Sequence, residues 1–251
     1  MARVLAVHAH PDDVEILMSG TLALLAARGH SIRIVTATAG EGGSAEFDPA
    51  ETGRIRQAEA AAAAALIGAD YRCLGFPDLG VFNDDASRRA VTELIRWAAP
   101  DVVITASPAD YHPDHEAIGI LVRDACFAAP VANYRTGPSP ALSAIPALYF
   151  ADAIGGRDRD GVRLQRDFGV DIAAAFATKR AMLAEHRSQA AWVMKQHGIS
   201  DLGADMEAWS RRVGADFGVD LAEGFRQYRH TPYPKAPALQ DLVGEALLAK
   251  P

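Results

Sequence analysis

Short aliphatic runs alternate with longer segments of helical hydrophobic periodicity along most of the chain. The aliphatic runs predict strands at residues 3–9, 31–37, 71–75, 101–105, 147–151 and 168–172. Helices are predicted from residue 14 onward and at residues 51–66, 86–98 and 115–128. This alternation of strand and helix is typical of βαβ units, whose strands form a parallel sheet.

The predicted fold class is therefore α/β, a Rossmann-like and mostly parallel sheet with helices on both faces. No repeat or linker divides the sequence, so we expect one domain over residues 1–251. Its C-terminal part is predicted to be helical over about 173–213, and residues 221–228 are a candidate strand to close the sheet. A Pro-rich tail follows, with prolines at positions 232, 234 and 237.

Composition narrows the classes of partner. The 251 residues are 49% hydrophobic, which is enough for a full core. The net charge of -7 and the lack of a basic run argue against nucleic acid or an anionic membrane as partner. The sequence has neither a signal-peptide pattern nor an apolar run of membrane-spanning length, and its two cysteines suggest no disulfide framework. We therefore expect a cytoplasmic protein.

The first aliphatic run ends abruptly at residues 10–13, His-Pro-Asp-Asp, and helical spacing begins at Val14. Asp12 and Asp13 thus stand at a helix start and at the carboxyl end of a strand, where open α/β sheets bind ligands. A single aspartate there could simply cap the helix. Two adjacent carboxylates beside a histidine repel each other unless a cation lies between them, which favours a metal site.

A second turn of the same kind follows the strand at residues 101–105. His112 and His115 are three residues apart across a Pro-Asp pair, and a helix is predicted from His115. If the two strands are close in the sheet, both turns face one crevice. Zinc often binds two histidines and one carboxylate and keeps a fourth position open for water, so the combined turns favour a zinc site.

With both turns considered together, the sequence resembles the LmbE/PIG-L family of zinc-dependent de-N-acetylases. The two metal motifs carry most of the resemblance, and softer motifs follow them in order along nearly the whole chain. The matching segments are AHPDDVEI at 9–16, a Gly-Glu loop at 40–43, RIRQAE at 54–59, LGFPD at 74–78, PDVVI at 100–104, HPDH at 112–115, HRSQ at 186–189 and AEGF at 222–225. Their order is most similar to the bacillithiol-type branch.

The resemblance implies a role for each residue of the two motifs. His10, Asp13 and His115 resemble the ligands of one Zn²⁺ per chain. Asp12 resembles the general base that takes a proton from metal-activated water. His112 resembles the histidine that stabilises the oxyanion or protonates the leaving amine, and Asp114 the carboxylate that orients it.

The implied function is a zinc-dependent hydrolase that removes the acetyl group from an N-acetylglucosamine-type conjugate. The implied partner is a small N-acyl amino sugar, and the family also suggests a homo-oligomer, with a hexamer as one candidate. Four residues are weaker candidates for substrate binding, three of them on or beside loops at the ligand end of the sheet: Glu41, Arg54, Asp78 and His186. His8 is either a support for the metal site or a buried structural histidine.

Two other functions remain open on the sequence. The fold pattern and the Gly-rich loop at residues 38–49 would also suit a non-catalytic α/β module that binds a nucleotide or a sugar, because fold alone implies no function. A metal-dependent esterase would use the same site on a different leaving group. A two-metal phosphatase needs more carboxylates than these motifs supply.

Overall fold

A computed structural model describes residues 1–189, 192 and 201–249 of the chain. In this part, eight strands form a single sheet in the order β3-β2-β1-β4-β5-β7-β6-β8. Their bounds are β1 (Arg3–His8), β2 (Ser31–Thr38), β3 (Asp70–Phe76), β4 (Val102–Thr105), β5 (Ala147–Ala151), β6 (Phe168–Asp171), β7 (Ala222–Gln227) and β8 (Leu247–Ala249).

The sheet has a parallel part and an antiparallel part. Strands β3, β2, β1, β4 and β5 pair in parallel, whereas β7, β6 and β8 continue the sheet with antiparallel pairings. This confirms the predicted mostly parallel sheet. The predicted closing strand exists as β7, but it lies between β5 and β6. The outer edge is formed by β8, which lies beyond the prolines of the predicted tail and was not predicted.

Helices cover both faces of the sheet, as predicted. The described helices are α1 (Asp13–Leu17), α2 (Ser19–Ala27), α3 (Pro49–Ala65), α4 (Asp85–Ala98), α5 (Pro113–Ala128), α6 (Phe176–Ala184), α7 (Leu202–Ala215) and α8 (Ala238–Val243). Side chains of α4 and α5 form the core on one face. The other six helices contribute to the core on the opposite face.

Strand β1 is the centre of the parallel part because it pairs with both β2 and β4. Its side chains alternate between the two cores, with Val4 and Ala6 on one face and Leu5 and Val7 on the other. Near its carboxyl end, Val7 is in register with Thr105 of β4. The turns that follow β1 and β4 therefore leave the sheet side by side.

Two helical predictions need correction. The helix predicted from residue 14 onward is broken at Met18 (φ −146°, ψ −1°), and α1 and α2 are separate. The helical stretch predicted at 173–213 begins with a 3-10 turn at Ala173–Ala175, followed by α6 and later α7. Residues 190, 191 and 193–200 of that stretch lie outside the described residues. Among the helices that are described, none has the length and apolar character needed to cross a membrane.

A buried ion pair ties the C-terminal elements to the helices that follow β1. The Glu223 carboxylate accepts hydrogen bonds from the backbone N–H groups of Gly20 (2.9 Å) and Thr21 (2.7 Å) at the start of α2. It also accepts one from Lys179 Nζ (2.5 Å), which donates in addition to the carbonyl of Ile16 (2.7 Å). Burial lowers the pKa of Lys179, although Glu223 favours its charged form. The ion pair thus holds the end of α1 and the start of α2 in position.

Replacing one member of this pair will destabilise the fold, because the other charge stays buried without a partner. We expect Lys179→Met to lower the free energy of unfolding by about 3–5 kcal/mol. Arg211→Met is the matched control, because Arg211 pairs with Glu207 on the surface, and such pairs contribute at most about 1 kcal/mol. Urea unfolding measures both variants, and equal losses would contradict the role of the buried pair.

Candidate metal and active site

The two predicted turns meet at the carboxyl ends of β1 and β4. Asp13 begins α1, directly after the first turn, and His115 lies in the first turn of α5. Asp13 Oδ2 is 3.3 Å from His10 Nδ1 and 3.4 Å from His115 Nε2. The two histidine nitrogens are themselves 3.3 Å apart. Three donor atoms from segments about a hundred residues apart thus form a nearly equilateral triangle.

The size of this triangle fits a tetrahedral zinc ion. With bonds of about 2.0–2.1 Å, two ligand atoms of a tetrahedral site lie about 3.3–3.4 Å apart. The three observed separations match that spacing, and three protein ligands leave a fourth position open. The side chain of His112 lies beside the triangle, with its ring stacked on that of His115 at a centroid distance of 4.7 Å.

Asp13 is held in place by two further groups. Its Oδ2 accepts a hydrogen bond from the backbone N–H of His10 (2.8 Å) and lies 2.6 Å from His8 Nδ1. His8 is fully buried, so the structure gives it a contact with the predicted metal ligand and no access to solvent. Burial alone would raise the pKa of Asp13, but His115 and His8 hold it well below its ordinary value.

Carboxylates lie behind both predicted histidine ligands. His10 Nε2 is 3.1 Å from Asp78 Oδ1 and 3.3 Å from Asp114 Oδ2, and His115 Nδ1 is 3.3 Å from Asp110 Oδ1. A proton on each of these outer nitrogens leaves the lone pair of the inner nitrogen facing the triangle. This carboxylate–histidine arrangement is typical of metal sites, where the outer carboxylate fixes the tautomer and the ring orientation.

The carboxylate of Asp114 contacts His10, whereas the resemblance assigned it to His112. It also accepts hydrogen bonds from the backbone N–H groups of Leu79 (2.7 Å) and Val81 (3.2 Å). The ring of His112 is oriented by the backbone of Asp114, whose N–H donates a hydrogen bond to His112 Nδ1 (3.2 Å). In its neutral form His112 then carries its proton on Nε2. Burial and the neighbouring His10 lower the pKa of His112, which favours this neutral form.

Asp12 has a left-handed backbone conformation, with φ at 94°. Such strain in a residue other than glycine concentrates at functional sites. Its side chain is buried, and Arg56 Nη2 lies 3.6 Å from its Oδ2. The guanidinium of Arg56 also donates to the carbonyls of Pro11 (2.7 Å) and Gly40 (2.8 Å). Burial raises the pKa of Asp12 to about 6, against the effect of Arg56.

These groups line a cleft of about 610 Å³. Its volume suits a small-molecule ligand. Side chains that line the cleft beyond the two motifs include Asp78, Leu79, Tyr111 and Trp192. The first of them is a predicted substrate-binding residue. Burial alone would raise the pKa of Asp78, but the hydrogen bond with His10 lowers this pKa to about 2.

The other three predicted substrate-binding residues do not line the cleft. Glu41 accepts a hydrogen bond from the backbone N–H of Asp78 (2.7 Å) and so links two loops. Arg54 is paired with Glu51, and 68% of its side chain is exposed. His186 is buried, with its Nε2 3.4 Å from Glu15 Oε2. The structure therefore corrects the placement of Arg54 and His186 at the cleft.

Arg56 and Asp110 reach the site but were not predicted from the sequence. Residues two apart on a helix point in nearly opposite directions, so only one arginine of RIRQAE can face inward. Arg56 shares its face of α3 with small buried residues at helical spacing, Thr52, Ala60 and Ala63. That periodicity was the available signal. Nothing comparable in the sequence marks Asp110.

Comparison with known proteins matches both turns. The family model PIG-L, described as GlcNAc-PI de-N-acetylase, matches residues 5–126. The 1D-myo-inositol 2-acetamido-2-deoxy-alpha-D-glucopyranoside deacetylase of Nakamurella multipartita is 30% identical to this chain. That alignment covers 94% of this chain and 92% of the Nakamurella protein.

Two solved structures share the fold. The N,N'-diacetylchitobiose deacetylase from Pyrococcus horikoshii superposes with a TM-score of 0.77 at 24% identity, covering 94% of this chain and 87% of that one. GalB, the 4-carboxy-2-hydroxymuconate hydratase from Pseudomonas putida, gives a TM-score of 0.74 at 21% identity, covering 94% and 100%. These likenesses show the fold alone, and the two names show that the fold carries more than one reaction.

The family model spans both turns, and the 30% identity to the Nakamurella enzyme extends over nearly the whole chain. This chain belongs to the PIG-L family of de-N-acetylases.

Proposed function

We propose that this chain is a zinc-dependent hydrolase that removes the acetyl group from an N-acetylglucosamine-type conjugate. The observation that carries the proposal is the triangle of His10 Nδ1, Asp13 Oδ2 and His115 Nε2, which opens on a cleft beside the strained Asp12. Family membership and the name of the Nakamurella relative support the reaction and the class of substrate.

His10, Asp13 and His115 would hold one zinc ion per chain. Zinc at such a site polarises a carbonyl group and lowers the pKa of water to about 7, which makes amide hydrolysis feasible at neutral pH. The carboxylates of Asp114 and Asp78 favour the tautomer of His10 that this role requires, and the Asp110 carboxylate lies 3.3 Å from His115 Nδ1.

Asp12 is proposed as the general base. It has a left-handed backbone conformation, and it lines the cleft beside Asp13. Burial raises its pKa towards neutrality, where a general base is most efficient, while Arg56 favours the ionised form that can accept a proton. The proton that Asp12 takes from the attacking water then passes to the amide nitrogen as the C–N bond breaks. Acetate and a free amine are the products.

His112 is proposed to stabilise the oxyanion. Its Nδ1 accepts from the Asp114 backbone, so the Nε2–H of the neutral ring is free to donate to the carbonyl oxygen as negative charge develops there. The same group could assist protonation of the leaving amine. In this arrangement Asp114 is a positioning residue for both His10 and His112, through its carboxylate and its backbone amide respectively.

Asp78 is the predicted substrate-binding residue that lines the cleft, and we propose it as a contact for a sugar hydroxyl. Roles for Glu41, Arg54 and His186 in binding remain predictions. Assignment to the bacillithiol-type branch also remains a prediction, because the relative described above is named for an inositol glycoside. The homo-oligomer also remains a prediction.

The proposal is tested by metal removal in the presence of N-acetylglucosaminyl conjugates. Zinc-loaded protein should release acetate and amine in equal amounts. Because the triangle needs its cation to act on the carbonyl, chelation should abolish release, and one equivalent of zinc should restore it. Full activity after complete removal of metal would contradict the mechanism. Hydrolysis of acetate esters without any amide cleavage would favour the esterase alternative.

Asp12→Asn separates metal binding from proton transfer. Asparagine tolerates a positive φ, so the turn should keep its shape. We expect normal zinc content by metal analysis and a fall in kcat of at least about 100-fold, because an amide cannot accept the proton. Unchanged turnover with normal zinc content would remove Asp12 as the base.

Arg56→Ala tests whether the buried Arg56, and not the exposed Arg54, favours the ionised form of Asp12. Removing this cation takes away the charge that favours ionised Asp12, so the pKa of Asp12 rises. The acid limb of the kcat–pH profile should therefore move to higher pH, and kcat at neutral pH should fall about tenfold. Arg54→Ala is the matched control on the exposed face of α3, and it should leave the profile in place. Equal effects of the two substitutions would contradict this assignment.

A further inference from the structure

A second cavity opens directly off the catalytic cleft. It has a volume of about 340 Å³, and we refer to it as the annex. The cleft and the annex share three lining side chains, Ile16, Ile154 and Leu202. Ile16 is on α1, only three residues beyond Asp13. The annex therefore begins next to the turn that carries the proposed metal ligands.

The rest of the annex wall is mostly apolar. Leu17, Met206 and Trp209 add hydrophobic side chains to the three that it shares with the cleft. Among the described residues, the charged ones that line it are Asp205 and Arg212, both at exposed positions of α7 and of opposite sign. A polyhydroxylated group would need several hydrogen-bond partners to replace those it makes with water. The described residues of this wall offer few such partners.

Trp209 is held in position by contacts within the protein. A Cβ atom added at Gly156 would lie 2.7 Å from the indole ring, so the ring packs directly on the backbone there. Gly156 also has a φ of +66°, which other residues rarely adopt. The guanidinium groups of Arg166 and Arg212 lie 5.5 Å and 5.3 Å from the ring centroid. A rigid aromatic wall of this kind costs little entropy when a ligand binds.

We propose that the annex is the aglycone subsite, and that it binds an apolar group attached to the amino sugar. The inference rests on the proposed function, since the sugar must occupy the cleft for its aglycone to reach the annex. Three observations carry it: continuity with the cleft, a largely apolar wall and a fixed indole ring. The substrate would then differ in its aglycone from the inositol glycoside named for the Nakamurella relative.

The affinity of the protein for alkyl N-acetylglucosaminides tests directly whether the annex binds an apolar aglycone. The probes are the methyl, butyl and hexyl glycosides and the inositol glycoside, titrated by calorimetry into zinc-loaded Asp12→Asn protein so that no turnover interferes. Each methylene group buried in the annex should tighten binding about fourfold. Burial of only two of the five additional methylene groups would already give more than about tenfold, so the hexyl glycoside should bind at least about tenfold tighter than the methyl glycoside. The inositol glycoside should bind no tighter than the methyl one.

Substitutions on α7 test whether the dependence of affinity on alkyl chain length arises in the annex. Ala208 is exposed and lines the annex, so Ala208→Phe, made in the Asp12→Asn protein, should fill it and remove the dependence on chain length. Ala204 is also exposed, one turn earlier on α7, and does not line the annex; Ala204→Phe should keep the dependence. Trp209→Ala should weaken hexyl glycoside binding towards that of the methyl glycoside.

An affinity that does not increase with alkyl chain length would overturn the annex as an aglycone site. So would an increase with chain length that is unchanged in the Ala208→Phe variant. Tighter binding of the inositol glycoside than of the hexyl glycoside would overturn it as well. Amine release by the wild-type protein is measured separately on the same glycosides. A steep affinity series without amine release from any of them would refute the proposed function and still show the annex to be an apolar ligand site.

Discussion

The structure depends on placing several buried carboxylates close together at one end of the sheet. Asp12, Asp13, Asp110 and Asp114 are all buried. Carboxylates in such proximity stay ionised only where cations or hydrogen-bond donors compensate them. Part of that compensation comes from the histidines around Asp13 Oδ2 and part from Arg56. A divalent cation in the triangle of donor atoms would supply the rest.

The fold makes this concentration of charge feasible. Because β1 and β4 are adjacent and parallel, the turns after them emerge together, although about a hundred residues separate them in sequence. Each turn then leads into the first turn of a helix, α1 or α5, whose N-terminus favours negative charge. The C-terminal elements secure α1 and α2 through the Lys179–Glu223 pair, at a cost in desolvation that only a well-fixed geometry can offset.

The sequence was sufficient to predict the parallel strands and both turns, because buried strands and Pro-Asp turns are encoded locally. It was insufficient where position depends on packing between distant segments. The spacing of small residues along α3 indicates that Arg56 and not Arg54 lies on the buried face, but only the packing of α3 places Arg56 beside Asp12. Likewise, the contact of Asp114 with His10 depends on how α5 meets the first turn. The interior place of β7 depends on its antiparallel pairing with β6, and the outer edge is formed by β8, whose short segment has no distinctive pattern.

The most direct measurement is anomalous diffraction at the zinc edge from crystals of the zinc-loaded protein. Our account predicts one zinc ion per chain, within about 2.0–2.2 Å of His10 Nδ1, Asp13 Oδ2 and His115 Nε2. The neighbouring group of His10, Asp78 and Asp114 also places three donor side chains close together. An ion bound there, with the imidazole of His115 outside its coordination sphere, would contradict the account.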